Sequence, residues 1–205
     1  MSALLSRAQL RRTLRQTRRA LSLKQQQDAA NGVFRQLAQH PYFIRAQHIA
    51  LYCAADGEIS PHILAQAAWR YRKQLYLPVL SEWPSTQMNF QVWLPNGAWK
   101  KNRFGIAEPH SHPAKLRDIT ALDLILLPLV GFDEQGARLG MGGGFYDRSL
   151  ARLNRHPQLR RPRLIGLAHE CQKVDQLSVE PWDIPLDATV TAERWYINAA
   201  AARAQ

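Results

Sequence analysis

Leu10, Leu14 and Leu21, filled in by Ala8 and Thr17, recur at helical spacing and make one narrow apolar stripe on an otherwise polar, Arg-rich helix. Ser22 then reads as the N-cap of a second helix over residues 24–38, closed by His40-Pro41. Beyond it the pattern alternates. Residues 48–54 form a short apolar run with the character of a buried strand, and residues 60–71 predict a helix with Ser60 as N-cap and Pro61 at its first position. Residues 74–80 predict a strand ended by Pro78 and the loop around Trp83-Pro84, and residues 90–94 a shorter strand near an edge. Residues 100–113, rich in Pro, Gly and His, read as an ordered loop. Residues 122–130 are the most apolar stretch and the candidate for the sheet centre. A helix over 145–154 and strands over 164–168 and 188–190 complete the series. Strands and helices alternating at this spacing predict an α/β fold: a three-layer sandwich with a largely parallel central sheet and a basic N-terminal helix, one domain over residues 1–205.

Composition narrows the classes. With 205 residues, 46% of them hydrophobic and 21% charged, the chain has the make-up of one soluble globular domain. The apolar run 124–132 is far shorter than the ~18 residues that span a bilayer, and Pro128 interrupts it. The N-terminus has no apolar core of a secretory signal, and Cys53 and Cys171 make neither a disulfide framework nor a C-x-x-C pair. A reducing cytoplasm is the expected compartment.

Charge changes the picture more. The formal net charge is +11, and Arg7, Arg11, Arg12, Arg15, Arg18, Arg19 and Lys24 all precede the first acid, Asp28. A helix so basic fits RNA, a membrane surface, a polyanionic small ligand such as a nucleotide or polyglutamate tail, or merely a solvated face.

The richest chemistry lies between Arg138 and Asp147, where Gly140, Gly142, Gly143 and Gly144 follow the strongest strand and open a helix. Glycines permit positive φ and close backbone approach, and successive N–H groups at a helix start cradle a phosphate. No Lys follows the glycines, and Phe145 stands where G-x-G-x-x-G needs its last glycine, so neither of the two commonest phosphate motifs is present. A tight turn without a ligand is the plain alternative. Arg138 has the chemistry to pair a phosphate, and Asp147 to hold Mg²⁺ or to favour the helix dipole. His110 and His112 lack a third metal ligand nearby, and the six tryptophans are scattered rather than interleaved with cations.

This segment resembles the signature of the 5-formyltetrahydrofolate cyclo-ligase (methenyltetrahydrofolate synthetase) family: an apolar strand with Pro, then F-D-x-x-G-x-R-L-G-x-G-x-G-(Y or F)-Y-D, here Phe132 through Asp147. The N-terminal helix ending Arg18-Arg19-Ala20-Leu21-Ser22, the Glu58 loop, Tyr76-Leu77-Pro78 and Phe104-Gly105-Ile106-x-Glu108-Pro109 fall in the family's order. So do Gly166-x-Ala168, Gln172, Glu180-x-x-Asp183 and Val190-Thr191.

The resemblance implies an enzyme that uses ATP and Mg²⁺ to close 5-formyltetrahydrofolate, or its polyglutamates, into 5,10-methenyltetrahydrofolate. It implies ATP contacts from Arg7, Ala8, Gln9, Leu10 and Arg11, and from Arg138, Leu139, Gly140, Met141, Gly142, Gly143, Gly144, Phe145 and Tyr146. Arg138 and Tyr146 would be catalytic; Met141 to Phe145 would also shape the folate side, with Cys53, Glu58 and Phe104. Asp147 and Asp183 would hold Mg²⁺, whose preference is for hard oxygen ligands. Arg7 stands where the family commonly has Lys, which keeps the charge and alters the donor geometry. A cytoplasmic monomer that binds neither membrane nor specific nucleic acid is the corresponding expectation. The rivals are an RNA-binding accessory protein that uses the basic helix, and an α/β relative that binds sugar phosphates without ATP.

Overall fold

The computed structural model describes residues 6–80, 88–102, 105, 107–110, 112–154 and 162–202. Three helices come first: α1 (Arg7–Arg19), α2 (Leu23–Ala38) and α3 (Pro41–Arg45). Then follow β1 (His48–Ala50), α4 (His62–Arg70), β2 (Gln74–Leu80), β3 (Met88–Val92), β4 (Trp99–Lys101), β5 (Ala107–Pro109) and β6 (Leu116–Arg117). The chain continues through β7 (Leu124–Pro128), β8 (Gly131–Phe132), β9 (Arg138–Leu139) and α5 (Phe145–Asn154). It ends with β10 (Arg163–Leu167), β11 (Ala188–Val190), β12 (Trp195–Ile197) and α6 (Ala199–Ala202).

Eight strands make the main sheet in the order β12-β11-β10-β7-β1-β2-β3-β6. The five strands from β11 to β2 pair in parallel, while β12, β3 and β6 add antiparallel margins. Strand β7 explains why the sheet needs cover on both faces. Its Leu124 and Leu126 join the core under α2, α3 and α4, while Ile125 and Leu127 join the core under α5. Period-two side-chain alternation in an all-apolar strand demands an apolar layer on each side, and the helices supply both.

Both long N-terminal helices start on capping boxes. Ser6 and Gln9 close one; Ser22 and Gln25 close the other, as the Ser22 signal requires. Strand β1 is shorter than the apolar run implies. The Leu51 N–H still bonds the Tyr76 carbonyl at 2.9 Å, but the chain then leaves the sheet through Asp56 and Gly57, both at positive φ. Helix α4 begins one residue after its expected start: Pro61 occupies the cap, and no side chain caps it. Strand β2 does not end at Pro78: Pro78 opposes Phe90 in an antiparallel ladder that continues to Leu80, while β1 on the other side pairs only as far as Ala50 opposite Tyr76. Trp83-Pro84 lies outside the described residues. The expected loop after Lys100 contains a β4–β5 hairpin that forms its own small sheet. The strand at 88–92 lies one place in from the edge, since β6 covers it.

Helix α1 docks by its leucines. Leu10 and Leu14 pack with Val130, Leu139 and Leu177, so the helix lies against the segment joining β7 to the β8–β9 hairpin. That contact carries the arginines of α1 to the C-terminal ends of the parallel strands, where open α/β sheets bind ligands.

Candidate active site

A cavity of about 720 Å³ opens at those strand ends. Tyr52 and Cys53 reach it after β1, Pro78 and Leu80 from the end of β2, and Pro128 and Leu129 from the end of β7. The glycine segment forms its floor, and α1 and the Glu180–Asp183 segment close one side.

The glycine segment is held from below. The β8–β9 hairpin turns at Asp133, whose buried carboxylate accepts the N–H groups of Gln135 (3.0 Å), Ala137 (2.9 Å) and Leu177 (3.0 Å). This clasp presents Arg138 to the cavity, and the chain then runs through residues 140–144 into the first turn of α5. Gly142 and Gly144 take φ of +96° and +64°, conformations a side chain rarely adopts. A β-carbon on Gly142 would also lie 3.6 Å from the Arg11 guanidinium carbon. Gly142 and Gly144 are therefore required by backbone shape, whereas a β-carbon on Gly140 would meet nothing within 4 Å.

Cations and carboxylates interlock around this floor. Arg7 Nη1 meets Asp183 Oδ2 at 2.8 Å, and Arg11 Nε donates to the Gly140 carbonyl at 2.8 Å. Arg138, largely buried, donates to Asp147 and to the Ile184 carbonyl. Burial pulls the Arg138 guanidinium below its ordinary pKa, and the charges of Asp147 and Asp183 oppose that pull. Burial likewise raises Asp183, but hydrogen bonds from Arg7 and the Glu180 N–H, and the Arg7 and Arg138 charges, outweigh it and hold the carboxyl below the usual range. Burial pushes the Tyr146 phenol well up, with the Glu58 charge adding to it, so its hydroxyl stays protonated.

At the other end the cavity is apolar and acidic. Glu58 accepts the Ala55 N–H at 3.1 Å and lies 3.8 Å from Arg18. Burial raises its pKa against the lowering pull of the Ala55 hydrogen bond and the Arg18 charge. Cys53 lines the same end, its thiol raised by burial and by the Glu108 charge.

The expected site residues thus divide. Arg7, Arg11, Cys53, Glu58, Arg138, Gly140, Met141, Gly142, Gly143, Gly144, Phe145, Tyr146, Asp147 and Asp183 all line one cavity. Ala8 and Gln9 do not: they face solvent, and the Gln9 amide is engaged in capping Ser6. Leu10 and Leu139 lie beneath the site, where they fasten α1 to the hairpin. Phe104 falls outside the described residues. Asp56, Glu108 and Trp182 line the cavity without having been singled out as site residues. Asp56-Gly57 is a turn dipeptide and Glu108 stands in the Phe104-Gly105-Ile106-x-Glu108-Pro109 motif, so both carried a signal. Trp182, 65% exposed at the cavity mouth, carried none.

The basic helix spends its charge inward. Arg18 is fully buried and donates to Asp56 (2.8 and 2.9 Å) and to the Leu129 carbonyl (3.1 Å). Arg15 meets the same Asp56 carboxylate at 2.8 Å, and Arg19 joins it. Burial raises Asp56, but the hydrogen bonds from Arg15 and Arg19 and the charges of Arg15 and Arg18 hold it below the usual carboxylate range. Of the seven early cations only Arg12 and Lys24 are exposed with no ion pair among the described residues.

No group of three potential metal ligands occurs among the described residues. Mg²⁺ needs fewer: it keeps several waters and binds through one or two carboxylates plus substrate phosphates. Asp147 and Asp183, on one cavity and within the field of the same Arg138, supply that donor set. Among the described residues no helix is long and apolar enough to cross a membrane.

Residues 4–192 match the model of the 5-formyltetrahydrofolate cyclo-ligase family. The chain is 38% identical over 181 residues to the 5-formyltetrahydrofolate cyclo-ligase of Escherichia coli strain K12, covering 88% of this chain and 97% of that protein. It is 39% identical over 180 residues to the enzyme of that name from Haemophilus influenzae, covering 88% and 94% respectively. The NMR structure of 5,10-methenyltetrahydrofolate synthetase from Aquifex aeolicus superposes with a TM-score of 0.79 at 27% identity, covering 95% of this chain and 94% of that one. With the signature segment on the cavity floor and the match running nearly end to end, the chain belongs to the 5-formyltetrahydrofolate cyclo-ligase family and is a ligase.

Proposed function

We propose that this enzyme uses ATP and Mg²⁺ to convert 5-formyltetrahydrofolate into 5,10-methenyltetrahydrofolate, releasing ADP and phosphate, by phosphorylating the formyl oxygen. One observation carries the reading: a glycine segment, Arg7, Arg11, Arg138, Asp147 and Asp183 share a single cavity of about 720 Å³ with Cys53 and Glu58.

The chemistry asks for little covalent help. The formyl oxygen attacks the γ-phosphorus, and the bond to ADP breaks. N10 then adds to the formyl carbon, the C–O bond breaks with the electron pair leaving on phosphate, and the N10 proton passes to the departing phosphate. Such transfers rest on positioning and charge neutralisation. The N–H groups of residues 140–144 and the start of α5 receive phosphate oxygens, while Arg11 and Arg138 neutralise charge that moves toward the γ-phosphoryl. Tyr146, kept protonated, donates a hydrogen bond rather than accepting a proton. Asp147 and Asp183 would hold Mg²⁺, which when bound supplies a fixed positive charge beside the phosphates. Glu58 accepts N–H groups of the folate head, and Cys53 packs against it.

The test is direct. The purified protein mixed with 5-formyltetrahydrofolate and MgATP should generate the near-ultraviolet absorbance of a methenyl-folate, and omission of ATP or chelation of Mg²⁺ should stop it. Methenyl formation without ATP, or none with it, would sink the proposal.

A further inference from the structure

The acidic end of the cavity holds a second carboxylate that the mechanism leaves unused. Glu108 projects from β5 into the cavity wall and is only 4% exposed. Its contacts are long. Oε2 accepts the Leu80 N–H at 3.3 Å and the Asn102 amide at 3.2 Å, and Oε1 lies 3.5 Å from the Lys100 ammonium. Charge-assisted hydrogen bonds normally close to about 2.7–2.9 Å, and an ionised carboxylate has roughly four lone-pair positions. These three donors leave lone-pair positions on the carboxylate for a further one. Glu108 lines the cavity, so a donor bound there is within its reach. The same carboxylate acts electrostatically on Cys53, which in turn acts on Tyr146, so Glu108 belongs to the circle of groups around the reacting centre.

We propose that Glu108 is a specificity-determining residue, a second recognition carboxylate that accepts N–H groups of the folate's bicyclic head from the β4–β5 hairpin while Glu58 does so from the loop after β1. The inference rests on the folate reading of this cavity. Two carboxylates on separate elements select a head that presents N–H donors on more than one edge, as a 2-amino-4-oxo pteridine does. They disfavour a head in which a carbonyl replaces the amino group, because its oxygen would face an anion. Glu108 also ties the hairpin to the end of β2, and the alternative is that it does nothing else.

The experiment separates these roles. Glu108→Gln keeps the shape and the acceptor for the Leu80 N–H but removes the charge. The Michaelis constants for folate and ATP would be measured for this variant, together with fluorescence-detected binding of a pterin and of the corresponding lumazine, in which an oxo group replaces the 2-amino group and N1 carries a hydrogen. Loss of one charged acceptor should raise the folate Michaelis constant about tenfold, leave that for ATP unmoved, and reduce the pterin-over-lumazine preference. An unchanged preference, or equal shifts in both constants with a lowered melting temperature, would overturn the proposal and leave Glu108 a clasp. Should the variant not fold, Glu58→Gln decides: a residual pterin preference supports a second carboxylate, and its complete loss assigns recognition to Glu58 alone. Because binding is read without turnover, failure of the cyclisation reaction itself would register separately in the wild-type assay.

Discussion

The two ends of the cavity are built on opposite principles. The end we assign to phosphate is contiguous: residues 138–147 supply floor, cation, helix start and carboxylate in one stretch, and only α1 and the Asp183 segment are imported. The end we assign to folate is assembled from Cys53 and Glu58 after β1, Pro78 and Leu80 on β2, and Glu108 on a separate hairpin. Phosphate is a compact, strongly charged group that one loop can enclose with backbone N–H groups. A bicyclic ring needs walls on several sides, and only distant segments brought together by the sheet provide them. The same contrast runs along α1. Arg7 and Arg11 face the cavity, whereas Arg15, Arg18 and Arg19 converge on Asp56 and fasten the helix to the loop that carries Glu58.

That division can be broken most severely at the phosphate end. Gly142→Val demands a φ of +96° from a β-branched residue and places its side chain against Arg11. Turnover should fall about a thousandfold as the cradle's donors move, in a protein whose melting temperature shifts by only a few degrees. Near-normal turnover in the folded variant would remove the cradle from the chemistry.

Asp147→Asn comes next. It keeps the contact with Arg138 but loses the charge, so Mg²⁺-supported turnover should drop about a hundredfold, with more Mg²⁺ needed for half-maximal rate. An unaltered Mg²⁺ requirement would return Asp147 to the role of a helix-start residue.

The helix supplies a finer test. Arg11→Ala should raise the Michaelis constant for ATP about tenfold with little effect on that for folate, whereas Arg12→Ala, exposed and about 100° round the same helix, should change either less than twofold. Equal effects from the two would leave α1 outside the active site.

The smallest expected effect belongs to the folate end. Burial raises the Glu58 pKa, so the carboxylate takes up its proton at a higher pH than an exposed glutamate and is ionised only above that value. Folate affinity should therefore weaken a few-fold as pH falls through the raised value, while ATP affinity holds. Glu58→Gln should erase that acid limb, and a limb that survives the substitution assigns it to another group.

The contrast between the ends also explains how much was legible beforehand. Local signals read well. Ser22 as a cap, the all-apolar run that contains β7, and the glycines before α5 each act within a few residues, and each landed where the pattern placed it. Signals that depend on distant partners did not. Arg18 has the sequence character of one more solvated cation; its burial follows from Asp56 and Leu129, 38 and 111 residues away. Residues 48–54 have strand character throughout, yet the ladder ends early because Asp56 and Gly57 turn the chain toward the cavity. Glu108 sits in a stretch that looked like loop, and only the pairing of β4 with β5 points it inward. Its register, Lys100 opposite Glu108, has no local signature.

Phosphorylation of the formyl oxygen is the claim on which both ends depend, since it requires a phosphate site and a folate site to meet in one cavity. It is tested most directly with 5-formyltetrahydrofolate carrying ¹⁸O in the formyl group, in a single turnover with MgATP and analysis of the released phosphate. Attack of the formyl oxygen on the γ-phosphorus must deliver the label to inorganic phosphate, one atom for each methenyl product. Label recovered in water, with unlabelled phosphate, would show that ATP is cleaved without joining that oxygen, and the shared cavity would need another explanation.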